Sequence, residues 1–268
     1  MRVRNYGSSG PLVFVLHGGP AAVGSAAPIA KELSDSFRVV EPWQRASGKE
    51  PLTVARHVED LNSLIANQRH DSHPALVGHS WGAMLALCYA AVYPDSLGAI
   101  VLVGCGTFDP PSRDRMKEIL ASRTTDALRE RLAQVALSDA APGTQFIRRH
   151  KLTRNRMVYD HAEPWPAKEE FVPFDARAHD ESWQDMMRLQ ADGTYPRAFS
   201  AVKSPVLMLH GDYDPHPGAM IRDSLEPLIP QLEYQELKQC GHSPWRERHA
   251  RNKFFSTMKD WLTLKMGM

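Results

Sequence analysis

The sequence predicts an α/β chain with a doubly wound, mostly parallel sheet and an inserted helical cap. Three observations carry that expectation. Short unbroken apolar runs of strand length alternate with segments of helical periodicity, and such alternation gives parallel strands joined by helical crossovers. The runs are apolar at every position, as when helices cover both faces of a sheet. Strand signals then stop from Thr107 to Ser200 and helical patterns take over. With 268 residues, 43% hydrophobic and 24% charged, the chain can bury a large core, and its composition is neither disordered nor collagen-like.

The first run, Leu12 to Leu16, stops at His17-Gly18-Gly19-Pro20, where Gly and Pro end a buried strand in a sharp loop. A second run, Phe37 to Val40, ends in Glu41-Pro42-Trp43. After it, Thr53 to Leu64 places Val54, His57, Val58, Leu61, Leu64 and Ile65 at helical spacing. Ala75-Leu76-Val77 is a short strand, followed across Gly78 to Gly82 by a helix over Ala83 to Val92 that Pro94 ends. Ala99 to Val103, Val206 to Leu209 and Leu232 to Leu237 complete the strands. The expected core domain is therefore 1–106 with 200–268, and the expected cap is 107–199. Helical patterns in the cap fall at Met116 to Ala121, Leu128 to Leu137 and Trp183 to Leu189. Its Pro-rich stretch from Glu163 to Pro173, with Trp165 and Phe171, is irregular and either lines a pocket or packs as an ordinary loop. The basic cluster Arg148-Arg149-His150-Lys151 with Arg154 and Arg156 reads as a solvated helix face.

Lys plus Arg total 32 against 31 for Asp plus Glu, a net charge of +1. No strong field favours nucleic acid or an anionic membrane, and the balance points to a small or uncharged ligand. The 3 cysteines, Cys88, Cys105 and Cys240, show no C-x-x-C spacing and are expected to be reduced. No signal-peptide pattern or bilayer-length apolar run is present, which places the chain in the cytoplasm.

The chemistry centres on Gly78-His79-Ser80-Trp81-Gly82, a G-x-S-x-G between a predicted strand and a predicted helix. A serine on so tight a turn is forced into a strained backbone, and Gly on either side removes the crowding that a Cβ would cause. The hydroxyl is thereby pushed into the open. The helix that begins at Trp81 also aims free N–H groups at any oxyanion formed beside it. A serine hydroxyl needs a base, and among 12 histidines the one in Cys240-Gly241-His242-Ser243-Pro244, a loop after the last strand, is best placed. A carboxylate must orient that imidazole. The loop His210-Gly211-Asp212-Tyr213-Asp214-Pro215 offers Asp212 and Asp214; Asp214 is preferred, since an Asp directly after Gly commonly bonds its own turn. Gly19, in the loop after the first strand, and Trp81 are the expected oxyanion donors, with His17 a buried structural histidine.

These residues resemble the α/β-hydrolase fold enzymes, and within them the branch of proline iminopeptidases and related esterases. The order Ser80, Asp214, His242 is the order of that architecture and differs from the chymotrypsin and subtilisin types. The resemblance implies that residues 107–199 roof the site and set specificity. Two departures separate this chain from iminopeptidases: Ala21 follows His17-Gly18-Gly19-Pro20 where Gly is usual, and Glu41 to Gly48 replaces the Asp-x-Arg-Gly-x-Gly segment. The N-terminus is also short for the full pair of leading antiparallel strands. Aminopeptidase activity would need cap carboxylates for a substrate ammonium, and Glu163, Glu169, Glu170, Asp180 and Glu181 are available.

Other motifs carry less. Cys240 is near His242, but the serine turn makes a thiol nucleophile unnecessary, and Cys88 belongs in the core. The pairs His70 with His73 and His210 with His216 lack a third metal ligand at a sensible spacing, and Gly104-Cys105-Gly106 has no third glycine for a dinucleotide loop. The expected function is thus cofactor-free, metal-free hydrolysis of a small ester or amide through an acyl-enzyme. The alternatives are an iminopeptidase-like aminopeptidase and a ligand receptor that binds without turnover. Oligomeric state is not encoded in any motif found.

Overall fold

In the computed structural model, which describes residues 1–68, 73–162 and 173–267, the strands are Val3–Tyr6 (β1), Leu12–Leu16 (β2), Arg38–Pro42 (β3), Ala75–His79 (β4), Ala99–Val103 (β5), Val206–Gly211 (β6) and Leu232–Leu237 (β7). They form one 7-stranded sheet in the order β1-β3-β2-β4-β5-β6-β7. Only the β1–β3 pairing is antiparallel. A single antiparallel strand therefore leads into the sheet, held by the register Val3↔Pro42 to Tyr6↔Val39.

Every residue of β2, β4, β5 and β6 is buried, and the two-residue period of a strand divides them between two cores. Leu12, Phe14 and Leu16 pack on one side with Ile100 and Leu102, while Val13 and Val15 pack on the other with Val101 and Val103. The first side is covered by Val54–Ala66 (α2), Trp81–Val92 (α3) and Gly218–Leu225 (α8), the second by Ala27–Leu33 (α1) and Arg251–Lys265 (α9). The all-apolar strands of the sequence thus reflect a sheet covered on both faces. Helices α1, α8 and α9 are additions to the elements read from sequence. The signal for α9 is present, since Phe254, Phe255, Met258, Trp261 and Leu262 recur at one helical face and are all buried. By contrast, α1 is short and its N-cap Ala26 provides no capping side chain.

Between β5 and β6 lie Pro110–Ser122 (α4), Asp126–Ala136 (α5), Pro142–Thr153 (α6) and Ala176–Ala191 (α7), with short 3-10 turns at Arg154–Met157 and Arg197–Ala201. No described residue of this region belongs to a strand of the sheet; His161 makes an isolated antiparallel bridge to Glu247. Helices α5 and α6 contribute no buried residue, whereas α7 buries Ala178, Ser182 and Met186. Carboxylates fasten α7 to the core: Asp175 accepts from the Ser47 N–H at 2.8 Å, Glu181 from Leu52 at 2.9 Å and Asp185 from Val54 at 2.8 Å. His57 of α2 adds a buried bond of 2.8 Å from Nε2 to the Ser182 hydroxyl. That hydroxyl donates to the Ala178 carbonyl at 2.8 Å, so the imidazole is the donor and the contact is a structural link. Among the described residues no helix is long and apolar enough to cross a membrane.

Candidate active site

Ser80 sits between β4 and α3 with φ 54° and ψ −116°, left-handed backbone that costs a residue with a Cβ of order 1–3 kcal/mol. Its N–H bonds the Val103 carbonyl at 2.9 Å, and its carbonyl accepts from Ala83 and Met84 at 3.0 and 3.2 Å. The flanking glycines are a matter of space. A Cβ on Gly78 would lie 2.2 Å from the Gly82 carbonyl oxygen, and one on Gly82 would lie 2.4 Å from that of Leu16. The strand, the helix and β2 can approach this closely only without side chains there. The Ser80 hydroxyl hydrogen-bonds to no described residue.

The loop after β6 places Asp214 Oδ2 2.7 Å from His242 Nδ1. A carboxylate can only accept, so Nδ1 carries the proton and Nε2 is the basic nitrogen. Asp212 lies elsewhere, with Oδ1 accepting from the Cys240 N–H at 3.2 Å. Asp214 has more partners than the sequence suggested. His216 Nδ1 and its backbone N–H both meet Oδ1 at 2.9 Å, and His210 Nε2 lies 3.3 Å from Oδ2. Burial opposes ionisation of Asp214, but the charges of His242, His216 and His210 outweigh it and hold the carboxyl well below its usual range. The His216 ring stacks on His242 with centroids 4.6 Å apart. Gly104, with φ 53°, lies beneath the pair, where a Cβ would come within 2.9 Å of the His242 carbonyl oxygen and 3.1 Å of its Nδ1.

His216 belongs to a cluster of ligand-type groups, but His210 is not part of it, so the pair itself gains no third ligand among the described residues. Asp214, His216 and His242 each present a ligand-type atom within 4.8 Å of one another. Nδ1–oxygen separations of 2.7 and 2.9 Å are N–H···O distances, shorter than the roughly 3.3 Å that separates ligand atoms around a tetrahedral zinc with bonds of about 2.0–2.1 Å. The chemistry of this donor set is that of a carboxylate shared by imidazoles.

His17 is fully buried, accepting at Nε2 from the Gln44 N–H at 3.1 Å and donating from Nδ1 to the Gly18 carbonyl at 2.9 Å. Gln44 also donates to the His17 carbonyl at 3.0 Å and accepts from the Trp81 indole at 2.8 Å. This side chain couples the glycine loop to the serine turn. It sits in the segment where the iminopeptidase pattern is lost, a position with no sequence signal of its own. His79 similarly holds the base loop, with Nε2 donating to the His242 carbonyl at 3.0 Å. Among the described residues neither the Gly19 nor the Trp81 backbone N–H is engaged, and both residues line the same cavity as Ser80 and His242.

Burial lowers His17 and His57 from 6.5 to about 4 each. The folded chain keeps these imidazoles neutral where the unfolded chain protonates them, so unfolding takes up protons between pH 6.5 and about 4. Their contribution is complete above pH 6.5 and is lost as pH falls toward 4, at roughly 3 kcal/mol per imidazole. Urea midpoints should fall steeply over that interval; a flat profile would refute the neutral assignment.

The cavity has a volume of about 660 Å³. Its apolar walls include Met84, Phe146, Phe174, Trp183 and Trp245. Helix α6 carries most of the basic cluster. His150, Lys151 and Arg154 line the cavity while remaining exposed, as Arg148 and Arg149 are outside its lining, and Arg156 bonds the Thr124 hydroxyl at 2.9 Å. The cluster is thus the exposed helix face that the sequence indicates, with one edge of it along the cavity. Of the carboxylates considered for an ammonium, Glu181 is engaged with Leu52 and Arg177, and Asp180 with His179. Glu163, Glu169 and Glu170, like His70, Trp165 and Phe171, lie outside the described residues. Burial pushes all three thiols up, Cys88 to about 12.

A further carboxylate escaped the sequence reading. Glu247, fully buried, accepts from Gly241 and Tyr159 at 2.9 and 3.0 Å through Oε1 and from Asp160 at 2.8 Å through Oε2. It joins the His242 loop to residues 157–162, alongside a bond of 2.8 Å from the His242 N–H to the Met157 carbonyl.

A family model described as alpha/beta hydrolase fold matches residues 11–245. The chain belongs to that family. This α/β hydrolase is 33% identical over 108 residues to a 2-(acetamidomethylene)succinate hydrolase of Mesorhizobium japonicum, covering 38% of each chain. It is 27% identical over 115 residues to a cis-3-alkyl-4-alkyloxetan-2-one decarboxylase of Shewanella oneidensis, covering 40% of this chain and 36% of that one. The matches thus span less than two fifths of either relative. The solved structure of a thermophilic esterase from Thermogutta terrifontis aligns with a TM-score of 0.66 at 18% identity, over 99% of this chain and 93% of that one, a likeness of fold.

Proposed function

We propose that this α/β hydrolase is a serine hydrolase that cleaves a small carboxylic ester or amide through an acyl-enzyme, with residues 107–199 as the cap over its site. The observation that carries the reading is the 2.7 Å bond from His242 to Asp214 at the rim of the cavity that Ser80 also lines. Ser80 Oγ attacks the carbonyl carbon as His242 Nε2 takes its proton. Asp214 holds the tautomer and stabilises the imidazolium, and the Gly19 and Trp81 N–H groups receive the oxyanion. Collapse expels the leaving group, which takes the proton back from His242, and water repeats the cycle on the acyl-enzyme. The unengaged Ser80 hydroxyl accords with a contact that tightens when substrate binds. The relatives support the substrate class, one being named a hydrolase and the other for an oxetan-2-one, a cyclic ester. The free thiols of Cys88, Cys105 and Cys240 accord with a cytoplasmic setting.

An iminopeptidase-like activity has less support. Among the described cavity residues there is no carboxylate, and the charged side chains are Lys151, Arg154 and Arg246, which repel an ammonium. The protein should react with a fluorophosphonate probe and hydrolyse short p-nitrophenyl esters while leaving aminoacyl-naphthylamides intact. Absence of both labelling and ester turnover, with calorimetric binding of a small ligand, would replace hydrolysis by a receptor role.

A further inference from the structure

Helix α6 turns a single stripe toward the cavity, Phe146 and Ile147 in its first half and His150, Lys151 and Arg154 in and just beyond its last turn. At 1.5 Å per residue the stripe is about 12 Å long and passes from apolar to cationic. Arg246, from the loop that carries His242, lines the same end. Several basic side chains elsewhere have acidic partners, as in Arg45 with Asp60, Arg188 with Asp185 and Lys259 with Glu32. Lys151 and Arg154 have none among the described residues. The cationic end lines the same cavity as His242, where desolvation and then the charges of Arg246, Arg154 and His242 push the His150 imidazole down. Like charges gathered at a partly apolar cavity repel one another and focus a positive potential into it, and an anion placed there relieves both.

We infer that the cavity selects substrates with a carboxylate set apart from the scissile carbonyl, Lys151 and Arg154 holding that carboxylate while the apolar half of α6 and Trp183 cover the intervening chain. This inference rests on the hydrolase reading for its reacting bond, but the anion subsite stands on the stripe of α6 that lines the cavity. Arginine offers a bidentate fork to a carboxylate and lysine a mobile point charge, so the pair accommodates more than one chain length.

The test compares p-nitrophenyl monoesters of glutaric and adipic acid with the same esters capped as methyl esters, which keep length and polarity but remove the charge. The free acids should be favoured at least tenfold in kcat/KM, and the preference should shrink in 0.5 M NaCl. Lys151→Met and Arg154→Met should each reduce the ratio of anionic to capped kcat/KM about tenfold, while Arg149→Met, on the same helix but outside the cavity lining, leaves the ratio unchanged. Calorimetry of glutarate and adipate with Ser80→Ala reads the subsite without turnover, and Lys151→Met in that background should weaken binding by a similar factor. If capped and free esters react equally and the Ser80→Ala protein binds neither dicarboxylate, the subsite is wrong and hydrolysis stands. If no ester is cleaved yet dicarboxylates bind through Lys151, the subsite stands and hydrolysis is wrong. A preference unchanged in both α6 variants also overturns the assignment.

Discussion

Ser80→Ala should lower kcat/KM for p-nitrophenyl esters by about 10⁴-fold or more and abolish fluorophosphonate labelling. In the proposed mechanism nucleophile, base and carboxylate act as a unit, so removal of the attacking oxygen forfeits the contribution of His242 and Asp214 as well. A factor of 10⁴ is about 5.5 kcal/mol of transition-state stabilisation. What survives, about 10³-fold over water, belongs to the oxyanion donors and to binding in the cavity. The same position separates chemistry from stability. With φ 54° at Ser80, Ala retains the strained backbone and Gly relieves it. Ser80→Gly should therefore be as inactive as Ser80→Ala but unfold at a higher temperature, by an amount on the order of 1 kcal/mol in stability. Labelling that persists in either variant would remove Ser80 from the mechanism.

How much of this was legible depended on whether a residue's partner was near it in sequence. The apolar runs of β2 and β5 were readable because burial on both faces leaves no polar position. The serine turn was readable because Gly78 and Gly82, four residues apart, mark a close approach. Asp214 was preferred to Asp212 on the turn-forming habit of Asp after Gly, yet Asp212 accepts from the distant Cys240 N–H, so the reason did not match what that residue does. Gln44 bonds His17 across 27 positions, and nothing at Trp43-Gln44-Arg45 announces that. His216 looked like half of a failed metal pair because sequence does not show that Asp214 turns both oxygens toward imidazoles. The basic cluster of α6 was legible as an exposed helix face. That one edge of it borders a cavity appears only when the helix is placed against α7 and the loop of His242.

Glu247 gives the largest expected loss of stability. In Arg246-Glu247-Arg248 it has the look of solvated surface charge, yet it is fully buried and its oxygens accept from the backbone N–H groups of Tyr159, Asp160 and Gly241. The carboxylate is compensated by peptide dipoles of two segments that would otherwise be separate. Glu247→Ala strands those donors, each at about 1–3 kcal/mol if water does not reach it; with partial hydration the net loss should be about 3 kcal/mol. At about 2–4 °C per kcal/mol for chains approaching this size, Tm should fall by about 6–12 °C. Glu247→Gln should fall less, because its single carbonyl oxygen can still serve Gly241 and Tyr159 while its NH₂ confronts the Asp160 N–H. Activity should follow the same order, because the loop steadied by Glu247 also carries His242, whose N–H bonds Met157, and about 1 Å of displacement of a catalytic group can cost on the order of 10²-fold in rate. Thermal unfolding of the two variants, with kcat measured well below their midpoints, separates the effects. An unchanged midpoint in Glu247→Ala would mean that solvent satisfies all three donors and that the carboxylate does not hold the two segments together.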